Sequence, residues 1–87
     1  MKRWTLIESL AQEMIDGQKK ALLECGRRTV PNVTPEDILQ PNDFPELELN
    51  PHFRYEEGIL AGMQAMQTAL RALKNEIMDD HQANINK

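Results

Sequence analysis

The chain has one cysteine, Cys25, so no intrachain disulfide forms and no cysteine cage can hold zinc. Aromatic residues make up only 5% of it, too few to interleave with basic residues as a base-stacking surface. No stretch approaches the roughly 20 apolar residues that span a bilayer. The opening Met1-Lys2-Arg3 has the charge of a signal-peptide start, but Glu8, Gln12 and Glu13 interrupt the apolar run that should follow. No targeting segment is therefore expected, and the expected location is the cytoplasm. Internal repeats and low-complexity tracts are lacking as well.

Charge of one sign is also lacking over most of the length. The net charge of −4 combines a slightly basic start with an acidic remainder. Glu36, Asp37, Asp43, Glu46, Glu48, Glu56 and Glu57 are opposed only by Arg54 across 36–57. Phosphate neutralisation supplies most sequence-independent nucleic-acid affinity, so an acidic chain argues against that class. The basic residues Lys20 and Arg28 each follow an acid four positions earlier, Asp16 and Glu24, the favourable order for pairs on a solvated helix face.

What is present is helical patterning. Read as one helix, 58–77 carries a large apolar stripe, Ile59, Met63, Met66, Leu70, Leu73 and Ile77. A small stripe, Gly58, Gly62, Ala65, Ala69 and Ala72, lies one residue ahead of it. Both advance by alternating steps of four and three, the seam of helices that pack lengthwise. Small side chains permit close approach of a second backbone. The helix carrying them starts cleanly, with Asn50 as N-cap and Pro51 at its first position. It is expected to reach about Asp80, leaving 82–87 as a frayed tail.

An earlier helix is expected from about Thr5 to Arg28. Thr5 and Glu8 have capping-box spacing, and Arg27 and Arg28 suit a last turn. Its seam reads Trp4, Ile7, Ala11, Met14, Gln18, Ala21 and Cys25, widened by Leu10 and Leu22, with Leu6 and Ile15 off it. Gly17 costs about 1 kcal/mol relative to alanine unless it marks a close crossing.

Four of the five prolines fall between the two helices, at 31, 35, 41 and 45, where they block helix continuation. Yet Val30, Val33, Ile38, Leu39, Phe44, Leu47 and Leu49 are spread through the same segment. A structureless loop this long is uncommon, so 29–50 reads as an ordered cap. Thr34, Pro35, Glu36 and Asp37 predict one helical turn at about 35–39, and a second turn is expected near 43–47.

The predicted fold is all-α: an antiparallel hairpin of two long helices, about 5–28 and 51–80, forming one domain over 1–87. Two helices leave a wide apolar stripe uncovered, and a second copy is the simplest cover, giving a four-helix bundle. Gly58, Gly62, Met63, Ala65, Met66, Ala69, Leu70, Leu73 and Ile77 are the predicted oligomer interface. No catalytic, cofactor or metal residues are assigned. His52 and Glu56 share a helix face, but two ligands make a weak metal site.

His52, Arg54, Tyr55 and Glu57 form the remaining cluster, with two readings. They line a ligand pocket under the connection of a small dimeric enzyme or binding protein, or Arg54 ties Asp43 or Glu46 down to the helix. The leading functional expectation is a non-catalytic interaction protein: a homodimeric adaptor, small chaperone or assembly subunit, with another protein as the alternative occupant of the apolar face.

Overall fold

The computed structural model describes the backbone of residues 2–85 and the side chains of residues 2–78. Five helical elements follow one another: α1 (Lys2–Thr29), α2 (Pro35–Ile38), a 3-10 turn (Pro41–Asp43), α3 (Pro45–Glu48) and α4 (Pro51–Ile85). Among the described residues there is no strand. The long helices α1 and α4 pack against each other as a hairpin, as the patterning predicted. The molecule is a rod of 59 × 21 × 19 Å.

Both long helices exceed their predicted bounds. α1 begins at Lys2, so Thr5 lies inside the helix and is not its N-cap. Nothing in Lys2-Arg3-Trp4 opposes helix, and a capping box seen only as spacing is a permissive signal. α4 runs to Ile85, past Asp80, because neither glycine nor proline follows Gly62. The expected frayed tail overlaps its last turn, and 86–87 lie outside the described residues.

The connection is ordered by local chemistry that was visible beforehand. Thr34 Oγ1 accepts from the Asp37 amide at 3.2 Å, and Asp37 Oδ2 accepts from the Thr34 amide at 3.0 Å. This reciprocal box, with Pro35 at the first helical position, starts α2. Phe44 and Pro45 start α3 in the same way, without a side-chain cap. Asn50 caps α4 by accepting from the Phe53 amide at 3.0 Å, and its Nδ2 donates to Thr29 Oγ1 at 3.3 Å. One asparagine therefore starts α4 and ties it to the end of α1. Arg27 Nε donates to the Val33 carbonyl at 3.0 Å and pins the first bend.

The core lies at the connection end of the rod. Val33, Ile38 and Leu47 turn inward from the connection onto Leu22 and Cys25 of α1 and Phe53 and Leu60 of α4. Val30 and Phe44 are partly buried beside them, whereas Leu39 and Leu49 point outward. Gly26 permits this closeness: a β-carbon there would stand 2.8 Å from Ile38 Cδ1. Gly17 is different, because a β-carbon at that position meets nothing within 4 Å. It marks no crossing within the hairpin. Gly17→Ala is therefore expected to stabilise the protein by about 1 kcal/mol, raising the melting temperature by roughly 4–8 °C. A fall in melting temperature would place Gly17 in a contact outside the hairpin.

Candidate functional site

The two long helices meet along a seam that differs from the stripes read in the sequence. On α4 the sheltered positions are Phe53, Glu56, Leu60, Met63, Gln67, Leu70, Lys74 and Met78. Ile59 and Glu57 are half-buried beside them, so of the large apolar stripe Ile59, Met63 and Leu70 are sheltered and Met66, Leu73 and Ile77 are not. On α1, Ile15 is 2% exposed within the core, although it was read as off the seam. Met14, read as on the seam, is exposed. The seam is turned toward the face where Phe53 and Leu60 join Ile15, Leu22 and the connection in the core, and polar side chains along it pair across the helices.

Three cross-helix contacts form a ladder. Gln18 Nε2 donates to the Glu56 carbonyl at 3.0 Å and to Glu56 Oε2 at 2.6 Å. Gln67 Nε2 donates to Gln12 Oε1 at 3.0 Å. Lys74 Nζ pairs with Glu8 Oε1 at 2.6 Å. Polar groups along a helix–helix seam fix register, since a slip leaves each without its partner. The signal for them is a second series of three- and four-residue steps beginning at Phe53, obscured because it mixes apolar and polar residues.

Glu8, Gln12 and Lys74 share one flank of the hairpin with Thr5, Ser9 and Arg71, and the other flank carries an apolar groove. Ile7, Leu10, Ala11 and Met14 of α1 face Gly62, Met63, Met66 and Leu70 of α4 across an open groove of about 400 Å³. Leu10 is 58% exposed and Met66 63%, and Leu73 and Ile77 continue the surface along α4. The connection does not reach this groove. It packs at the other end of the rod, where Pro35, Ile38 and Leu39 border Lys19, Lys20, Leu22, Leu23 and Leu60.

The predicted interface residues thus fall into two groups. Met63 and Leu70 are shared between the hairpin seam and the groove. Gly58, Gly62, Ala65, Met66, Ala69, Leu73 and Ile77 are exposed, with none of the described residues covering them. A β-carbon at Gly58 or Gly62 would have open space around it.

The polar cluster is dispersed. Arg54 pairs with Glu57 one turn along α4, at 3.0 Å, with both side chains part-exposed. Asp43 and Glu46 do not tie Arg54 to the connection; Arg27 and Asn50 hold that segment instead. Tyr55 is exposed. His52 borders a shallow hollow with Cys25, Arg28, Thr29 and Asn50. Burial pushes the Cys25 thiol up from its ordinary pKa; Arg28 pulls it down and Glu56 adds a smaller upward push. A thiol held protonated is a weak nucleophile. Among the described residues no three histidine, cysteine, aspartate or glutamate side chains gather around a point that a metal ion could occupy.

Fold and surface together define a class: a capped α-helical hairpin with cross-helix polar pairs along its seam and an apolar groove left open on one flank. Among the described residues no helix is long and apolar enough to cross a membrane. No family model, curated protein or solved structure matches this chain.

Proposed function

We propose that this is a non-catalytic helical interaction protein that works as a homodimer, a four-helix assembly serving as an adaptor, small chaperone or subunit of a larger complex. The observation that carries the reading is the uncovered apolar flank. Its exposed members come from both long helices: Ile7, Leu10 and Met14 from α1, and Met66, Leu73 and Ile77 from α4. Single exposed apolar residues are ordinary, but a contiguous row along a groove is the mark of a contact surface.

The chain exposes 6529 Å². A compact monomer of 10.0 kDa would expose roughly 5,200 Å². The surplus of about 1,300 Å² reflects the rod shape, which leaves both long helices accessible to a partner. The scattered polar residues of α4 supply no comparable argument for catalysis, since they pair locally or face solvent.

Light scattering after gel filtration, over a concentration series, tests the reading. The expected mass is twice 10.0 kDa. A melting temperature that rises with protein concentration is expected alongside it. A folded monomer of invariant melting temperature at every concentration would overturn self-association.

A further inference from the structure

Resting on that proposed self-association, we infer that a second copy docks antiparallel along α4, with the two-fold axis passing between Gln67 and Thr68. The small side of α4 is unused within the chain, as the open space around Gly58 and Gly62 and the exposure of Ala65 and Ala69 indicate. It lies next to the exposed large side chains Met66, Leu73 and Ile77. A two-fold interface is self-complementary: if one residue meets another, the reciprocal contact also forms.

Antiparallel pairing about that axis satisfies this level by level. Ile77 falls opposite Gly58 of the second copy, Leu73 opposite Gly62, Leu70 opposite Ala65 and Met66 opposite Ala69. The large stripe, read backwards, has the same four-three-four steps as the small stripe read forwards. Each bulky side chain therefore enters a gap left by a small one, which lets the two helices approach at the short end of the usual 8–10 Å range.

The rest of the hairpin fits the same axis. The Gln67–Gln12 bond sets Gln12 of α1 at the axis level. The exposed Ile7, Leu10 and Met14 lie within two turns of it, so the rotation carries this patch over its own equivalent. A parallel arrangement with aligned ends fits poorly. Gln18 bonds Glu56 and Gln12 bonds Gln67, so Gly17 sits near the level of Gly58 and Gly62. Parallel pairing would set α1 of one copy against α4 of the other and bring these glycines together, leaving an unfilled gap.

Nitroxide labels tell the orientations apart. The full chain is labelled at His52→Cys or, separately, at Thr68→Cys, each with Cys25 replaced by alanine, and label-to-label distances are measured by pulsed electron resonance. Both labelled positions are exposed. Antiparallel pairing about 67/68 separates the two copies of position 52 by roughly 45 Å along the helix, whereas the two copies of position 68 are level. The expected result is a distance of at least about 45 Å at 52 and under about 25 Å at 68. Similar distances at both positions in a protein of dimeric mass would overturn the antiparallel register and leave the proposed self-association standing. Monomeric mass with no coupling between labels would overturn both.

Discussion

Phe53→Ala is expected to lower the melting temperature by well over 10 °C and to release the connection from the hairpin. Phe53 is 0% exposed and is the largest fully buried side chain. It sits where every element of the cap converges: Val33, Ile38 and Leu47 share its cluster, and its Cε2 would be 3.5 Å from a β-carbon on Gly26. Truncating a buried phenylalanine costs about 3–5 kcal/mol, from lost transfer energy and from the cavity that remains. Natural domains have roughly 0.05–0.15 kcal/mol of stability per residue, so this is a large part of the total for a chain of this length. Among the described residues no second core compensates: every buried side chain belongs to this one cluster, and the far half of the rod has only half-buried side chains with the Gln12–Gln67 and Glu8–Lys74 pairs. Leu49→Ala provides the contrast: Leu49 is 81% exposed and its loss should stay within about 0.5 kcal/mol. Thermal melts followed by circular dichroism measure both. Equal shifts for the two variants would mean that the cap is not anchored at Phe53.

The second large effect is on association. Met66→Glu is expected to weaken the dimer at least about 100-fold while leaving the hairpin helical. Met66 is 63% exposed in the hairpin, so a carboxylate there stays hydrated in the single chain. In an interface the same carboxylate loses its water with no partner, a cost of several kcal/mol. About 2.7 kcal/mol is enough for a 100-fold change in dissociation constant. Leu70 is a poorer probe, because it is half-buried and a charge there would disturb the hairpin too. Gln64→Glu is the control: Gln64 is exposed away from the groove, and its substitution should leave the mass unchanged. Analytical ultracentrifugation reads the outcome. A Met66→Glu protein that sediments as tightly paired as the parent would show that the apolar flank is not the contact surface. A variant that loses its helicity as it dissociates would indicate a hairpin that folds only when paired.

Much of the architecture was legible because it rests on short-range rules. Asn50-Pro51 and Thr34-Pro35-Glu36-Asp37 announce helix starts through groups that satisfy amides a few residues away, and both starts are found where the residues put them. The prolines mark the connection, and the inward Val33, Ile38 and Leu47 show why it is ordered. The stripes of α4 were equally plain, but what they touch was not. A four-three pattern says that a helix has an apolar face without saying which neighbour covers it.

That choice belonged to the tertiary structure. Packing α1 on α4 turned Phe53, Glu56, Leu60, Gln67 and Lys74 inward and left Met66, Leu73 and Ile77 outside. Contacts between residues far apart in the chain decide this: Phe53 and Leu60 join Ile15, Leu22 and the connection in one core, and Gln18 pairs with Glu56, Gln12 with Gln67 and Glu8 with Lys74, 38 to 66 positions away. None of these polar side chains is fully buried, so they line a register that burial of Ile15, Leu22, Phe53 and Leu60 in one cluster with the connection also demands. Arg54 shows the same division: its charge was evident, but its pairing with Glu57 rather than Asp43 or Glu46 depended on where the connection folded. The sequence by itself determined an all-helical hairpin with an ordered cap, because capping, proline stereochemistry and helical periodicity act within a few residues. Which flank is closed by the chain and which stays open was decided only when distant side chains met.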